Sequence, residues 1–210
     1  ILGLDRVEAD VLRDLVAENN AVGYSGTNSG GELFIASSVW RNNMAGIVPN
    51  TLDSERLPPE RGTTVVANLV IGNHNPEAPA HPLMYPAFGN GIQVMGGLDN
   101  RIERNLVVDH AGWGILVAGM FNENPWPARG NVVRDNRVLG SGRSDIAVAS
   151  PATWSNCFEG NRYETSSPPP LESTQGCSGA RLRLGFDWTP SIAMLLRSIA
   201  AASGRYRHGD

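Results

Sequence analysis

Asp109 and His110, adjacent in the segment Val107–Gly114 (VVDHAGWG), form the first pair whose side-chain types could do chemistry. A carboxylate beside an imidazole can abstract or relay a proton near neutral pH. The same two residues suit a turn after a strand, where an Asp side chain hydrogen-bonds its own backbone. His74 and His81 frame a proline-rich stretch that contains Glu77, a donor set of the kind metals use. Asn42-Asn43 fills the equivalent turn without any histidine, so no metal site is expected there. Glu103, Arg134 and Glu159 recur at matching places, either as catalytic charges or as a ladder of ion pairs on a solvated face. No cofactor is implied.

The elements that must position these residues show themselves by repetition. Val11–Ser25 (VLRDLVAENNAVGYS) lies without a gap on Phe34–Val48 (FIASSVWRNNMAGIV), 23 residues further on. Val65–His74, Ile102–Val117, Val133–Val148 and Phe158–Thr165 are later copies. The unit is too short for a helical hairpin, and each copy holds short β-branched or apolar runs parted by Asn, Gly or Asp. Three short strands and three turns per coil of a solenoid fit that pattern. A polar turn column runs through Asp14, Ser37, Asn68, Asn105, Asn136 and Asn161, expected to stack as a hydrogen-bonded ladder in left-handed or bridging backbone. A second column, nine residues later, holds Gly23, Gly46, Gly114 and Asp145, with Gly91 delayed by an insertion. Three inward stacks follow: Val11, Phe34, Val65, Ile102, Val133 and Phe158; Val16, Val39, Val70, Val107, Val138 and Tyr163; Tyr24, Ile47, Ile92, Ile115 and Ile146.

With the phrase NNAVGYSGTNSGG at Asn19–Gly31, this pattern resembles the secreted bacterial right-handed parallel β-helix repeat proteins of the pectate-lyase-like superfold, over roughly residues 7–177. The resemblance implies an all-β, single-stranded right-handed parallel β-helix of about six coils over residues 1–165. A tail over 166–210 would carry one short helix packed on the solenoid. The abrupt entry into the repeat suggests the C-terminal part of a longer solenoid.

In the family, substrates lie on the outer face of the strand that bears Ile47, Ile92, Ile115 and Ile146. Three loops, Thr51–Arg61, Asn75–Phe88 and Phe121–Arg129, would leave from the ends of that strand here. Tyr85, Trp113 and Trp126 are then the candidates to stack on sugar rings, with Gln93, Arg129 and Asp145 as polar contacts beside Asp109 and His110. Alginate-type epimerases of this fold use an Asp-Pro-His element in proton abstraction; here the proline is missing. Lyases of the fold need clustered acidic calcium ligands and a basic residue, and hydrolases need several carboxylates. The outward floor positions Gly23, Ser25, Gly46, Val48, Gly91, Gln93, Gly114, Leu116, Asp145 and Ala147 carry only the charge of Asp145.

The implied function is an extracellular carbohydrate-binding or carbohydrate-active domain; any enzyme activity would be that of a polysaccharide lyase, epimerase or glycoside hydrolase. Two other readings stay open: a non-catalytic scaffold or interaction module, and a piece whose active coils lie upstream. A copper-oxidase-accessory role is more distant.

A net charge of −4 leaves no basic stripe, which argues against a nucleic-acid partner. No apolar run reaches a membrane-spanning length and no signal peptide is visible. A polysaccharide is the expected partner, of a monomer that is secreted, periplasmic or at the cell surface. Cys157 and Cys177 are either two buried thiols or, as the likeness to secreted proteins favours, a disulfide that ties the tail to the last coil. Thr189 and Pro190 open a helix whose stripe is Ile192, Leu195, Leu196 and Ile199. That helix is expected against the largely apolar outer face formed by Leu15, Ser38, Trp40, Leu69, Ile71, Leu106, Val108, Arg137 and Leu139.

Overall fold

One residue at each first corner of the repeat adopts left-handed backbone. Asp14, Ser37, Ala67, Arg104 and Asp135 have φ between 48° and 56°, and Gly160 has 68°. A single such residue between two extended runs turns the chain sharply and lets both runs keep their pairing to neighbouring coils. Asn19, Asn42, Gly72, Asp109 and Gly140 repeat the device at the second corner. The computed structural model describes residues 10–54, 56–79, 82–149, 152, 155–178, 192, 195–196 and 199.

The first coil comprises β1 (Asp10–Arg13), β2 (Val16–Glu18) and β3 (Val22–Thr27), and the second β4 (Gly30–Ala36), β5 (Val39–Arg41) and β6 (Ala45–Asn50). The third holds β7 (Arg61–Val66), β8 (Leu69–Ile71) and β9 (Ile92–Met95), and the fourth β10 (Arg101–Glu103), β11 (Leu106–His110) and β12 (Trp113–Ala118). A small antiparallel hairpin, β13 (Met120–Phe121) with β14 (Pro125–Trp126), leaves before the fifth coil. That coil is β15 (Val132–Arg134), β16 (Arg137–Ser141) and β17 (Ser144–Ala149). The sixth has β18 (Cys157–Glu159) and β19 (Ser166–Ser167), followed by the one-turn helix α1 (Leu171–Thr174).

Equivalent strands pair in parallel into sheet A (β1, β4, β7, β10, β15, β18), sheet B (β2, β5, β8, β11, β16) and sheet C (β3, β6, β9, β12, β17, β19). The fold is a single-stranded parallel β-helix, right-handed as parallel crossovers are. The described residues hold no helix long and apolar enough to cross a membrane.

Inside, Ile35, Val65, Ile102, Val133 and Phe158 stack from sheet A, Trp40, Val70, Val107 and Val138 from sheet B, and Ile47, Ile92, Ile115 and Ile146 from sheet C. Tyr24 closes the first coil edge-on to Trp40, with ring centroids 6.4 Å apart. The first two coils correct the expected register by one residue. Leu12 pairs with Ile35 and Ala17 with Trp40, whereas Val11 and Val16 are 53% and 61% exposed. Phe34 and Val39 likewise face outward, and Trp40, expected outside, is core. The cause lies at the second corner: His110 and Ser141 stand four residues before Gly114 and Asp145, but Asn20 and Asn43 only three before Gly23 and Gly46. A constant nine-residue spacing therefore aligns the early coils one place out.

The same shift corrects the ladder. It runs from the Leu15 amide to Ser38 Oγ (3.1 Å), from the Ser38 amide to Asn68 Oδ1 (3.1 Å), and on through Asn105, Asn136 and Asn161 to Glu172 Oε1 of α1. Asp14 and Ser37 are corner residues, outside it. The left-handed backbone belongs to the residue before each ladder asparagine, Ala67, Arg104 and Asp135 among them. Two further ladders line the other corners: Asn20–Asn43–Asn73, and Asn100–Asn131–Asn156 with Glu60 at its N-terminal end. Each asparagine answers a backbone amide that a corner would otherwise bury unpaired.

Cys157 and Cys177 form a disulfide, with Cα atoms 4.8 Å apart, that fastens β18 to the chain beyond α1. Of the C-terminal stripe, Ile192, Leu195, Leu196 and Ile199 are helical and exposed. Leu195 borders the groove over sheet C, and Leu106 on the outer face of sheet B stays 39% exposed. The packing of the rest of that segment lies outside the described residues.

Candidate ligand groove

The outer side of sheet C carries two rows. Ser25, Val48, Gln93, Leu116 and Ala147 lie in register in one, and Thr27, Asn50, Met95, Ala118 and Ala149 in the other. Side chains alternate between faces along a strand, so these rows are the residues next to the inward isoleucines, every second one pointing out. The loops after β6, β8 and β12 rise around the rows and enclose a groove of about 560 Å³. Its apolar wall is Val22, Val48, Met84, Pro86, Met120 and Phe121, and its polar edge is Ser25, Thr27, Asn50 and Gln93, with Asp53 and Glu123 at the rim.

Asp53 organises that rim. Its Oδ2 accepts the Asn124 amide at 2.9 Å, and its Oδ1 accepts Asn124 Nδ2 at 2.8 Å and Trp126 Nε1 at 3.0 Å. These bonds, the Asn124 side chain's first, hold its carboxyl below the usual range. The loop after β6 is thereby tied to the β13–β14 hairpin. On the floor, Asn90 Nδ2 donates to Gln93 Oε1 at 2.7 Å, and Gln93 Nε2 approaches Met95 Sδ at 2.9 Å.

The residues singled out by sequence separate into different places. Gln93 lies in the groove floor but is 1% exposed, with Oε1 and Nε2 both engaged by Asn90 and Met95. Trp126 is half-buried and serves the Asp53 junction. Tyr85, in the 3-10 turn Pro82–Ala87, packs against the apolar cluster beneath the groove wall. Trp113 is 2% exposed and lies beneath the Arg143 guanidinium, 4.9 Å from its ring centroid, so it offers no free face to a sugar. Arg129 is exposed at the third corner, bridged to Leu98. Asp145 is buried, with Oδ1 taking the Ser141 amide and Oδ2 the amides of Glu164 and Thr165. Its charge closes a turn.

Asp109 occupies the left-handed corner, exposed. His110 is 1% exposed beneath Gly91, where an added Cβ would lie 2.8 Å from its Nε2. That Nε2 faces the Val70 carbonyl at 3.2 Å; a carbonyl only accepts, so the proton sits on Nε2. Burial holds the imidazole pKa down at about 4, and Nδ1 is buried without a hydrogen-bond partner. The imidazole stands neutral in the second-corner ladder, away from the groove lining.

His74 is half-buried, Glu77 is exposed, and His81 lies outside the described residues. Among the described residues, no group of three or more His, Cys, Asp or Glu side chains could hold a metal. Glu103, Arg134 and Glu159 are in register, with Arg134 3.4 Å from Glu159 and Glu103 3.5 Å from both Arg101 and Arg104. Sequence reasoning missed Asp53, Asn124 and Phe121, which sit on loops outside the repeat. It also missed Asn100, Asn131 and Asn156, each five residues before Asn105, Asn136 and Asn161, a spacing that could have revealed them.

No family model matches this chain, and no curated protein does. Among solved structures it is similar to the A-module of a mannuronan C-5 epimerase from Azotobacter vinelandii. The identity is 16% and the TM-score 0.46, over 85% of this chain and 56% of that one. The chain thus spans just over half the length of that structure. The likeness is one of fold, which the strand topology establishes independently.

Proposed function

We propose that this chain is an extracytoplasmic saccharide-binding β-helix domain whose ligand lies in the groove over sheet C. One observation carries the reading: the uncharged hydroxyl and amide groups of Ser25, Thr27 and Asn50 face an apolar wall that includes Phe121. A sugar presents the matching pair of surfaces, hydroxyls at its rim and C–H groups on its faces. Binding without bond cleavage fits a lining whose carboxylates among the described residues are Asp53, already engaged in three hydrogen bonds, and Glu123. The disulfide supports an oxidising compartment. Asp109 and His110 act structurally in this reading, because the imidazole is enclosed and the carboxylate lies on the outer corner. The test is titration calorimetry against a panel of neutral and acidic oligosaccharides, with Phe121→Ala and Asn50→Ala as groove variants. Binding that weakens at least 10-fold in both variants supports the groove; no binding by the intact chain across the panel overturns it.

A second reading, an interaction module, rests on the outer face of sheet B, where Val16, Val39, Leu69 and Leu106 form an apolar row that runs into Arg137. Self-association or partner capture that Leu106→Lys abolishes would favour it.

A further inference from the structure

The groove floor changes polarity within one coil. Over the first two coils, Thr27 Oγ1 donates to Asn50 Oδ1 at 3.0 Å and Asn50 Nδ2 donates to Ser25 Oγ at 3.3 Å. Ser25 keeps its own hydroxyl proton and Asn50 Oδ1 a second lone pair, one donor and one acceptor for a sugar's oxygens. In the third coil Met95 takes the register position of Asn50, one strand spacing or about 4.8 Å along the solenoid. Met120 stands over the next residue, Gly96, its Cβ 3.0 Å from where a glycine Cβ would lie. Half-buried Met84 and the 57% exposed Phe121 line the same groove. Two carboxylates, Asp53 and the exposed Glu123, stand at its rim.

We propose that the groove is specific for neutral saccharides that carry acyl substituents, with the Ser25–Thr27–Asn50 patch holding the ring and the methionines receiving the acyl methyl group. The inference rests on the saccharide reading above and names the class of sugar. A bare ring is polar around its edge. Pressing that edge onto thioethers would strip its hydroxyls of water and return no hydrogen bonds. An ester- or amide-linked acyl group puts a methyl there instead, and its burial is favourable. Methionine suits such a wall, because its unbranched, polarizable chain adapts to small apolar groups. The rim supplies the rest of the selectivity. The hydrogen bonds from Asn124 and Trp126 keep the Asp53 carboxyl charged at neutral pH. A uronate in the groove would therefore bring like charge toward Asp53 and Glu123, a repulsion that reaches about 8 Å at physiological ionic strength.

Titration calorimetry of the full chain compares acylated probes with their unacylated counterparts. The pairs are an N-acetylglucosamine hexamer against cellohexaose, and O-acetylated xylohexaose against the same oligomer after alkaline deacetylation; a hexauronate is the acidic probe. At least one acylated probe is expected to bind at least 10-fold more tightly than its counterpart and than the hexauronate. A smaller preference, or tighter binding of an unacylated or acidic probe, overturns acyl specificity and leaves the saccharide reading standing. No binding of any probe overturns both. Met84→Gln is expected to cut the preference for the acylated probe to less than 3-fold, and an unchanged preference overturns the methionine contact. Glu123→Lys, on the exposed rim, is expected to raise hexauronate affinity at least 5-fold at low salt. Unchanged hexauronate affinity overturns the rim's part in the selectivity.

Discussion

His110 Nε2 meets the Val70 carbonyl of the preceding coil at 3.2 Å, as Asn73 Nδ2 meets the Trp40 carbonyl at 2.8 Å one coil earlier. The imidazole therefore repeats the donor role of an asparagine amide, and the corner supplies its carbonyl partner whichever residue is present. An asparagine at position 110 should preserve stability within about 1 kcal/mol, whereas His110→Ala leaves a buried carbonyl unanswered and costs roughly 1–3 kcal/mol. Urea midpoints of the two variants decide the matter. Equal losses in both would mean that the ring is held by shape rather than by its hydrogen bond.

Two buried groups give stability opposite pH dependences. Glu60 accepts Thr63 Oγ1 at 2.7 Å and Asn100 Nδ2 at 2.8 Å, and burial raises its pKa from 4.5 to about 7. Its contribution is present below pH 4.5 and is lost as pH rises through 7, because the folded state holds the proton longer. His110, lowered by burial from 6.5 to about 4, contributes stability above pH 6.5 that is lost as pH falls through 4. Each slope carries on the order of 3 kcal/mol over its window. Between pH 4.5 and 6.5 they oppose one another. Glu60→Gln should therefore show stability climbing with pH, and His110→Asn should show it falling. Denaturation series in which both variants track the parent would refute this pairing.

Adjacent positions at the first corner should respond with opposite sign. Ala67 has φ of 54°, a conformation that costs a residue with a Cβ, so Ala67→Gly should stabilise by about 0.5–1 kcal/mol. Asn68 is buried and donates to Asn105 Oδ1 and to the Ile35 carbonyl, so Asn68→Ala should destabilise by roughly 2–3 kcal/mol. Thermal unfolding of the two single variants measures both. A loss at position 67 would contradict the corner assignment.

Asp53 joins the groove's rim rather than its core, so Asp53→Ala should loosen the loops without lowering the global midpoint. Hydrogen exchange of the Asn124 amide should speed up by 10-fold or more, and Trp126 emission should shift to the red as its indole loses its partner. Saccharide affinity should fall with the rim. Unchanged exchange at Asn124 would show that the hairpin holds its position alone.

The sequence by itself determined the coil. Asn105, Asn136 and Asn161 are hydrogen-bonding residues at a repeating corner, and Ile47, Ile92, Ile115 and Ile146 sit inside because a parallel stack places like residues over like. Repetition makes such facts local: each coil solves the same packing problem, and its solution is visible in its own residues. The register of the first two coils escaped that logic, since one residue more or fewer at the second corner leaves the pattern looking gapless while every side chain changes face.

Only the tertiary structure decided what the groove contains. Trp113, Asp145 and His110 have the chemistry of binding residues, yet each answers to a partner distant in sequence or hidden by coil stacking: Arg143, the Glu164 and Thr165 amides, and the Val70 carbonyl. Phe121, Asp53 and Asn124 come together from loops that obey no period. The contact of Asp53 with Trp126 spans 73 residues and depends on where two insertions fold back over sheet C. Periodicity specifies what every coil shares, and the groove is built from what the coils do not share.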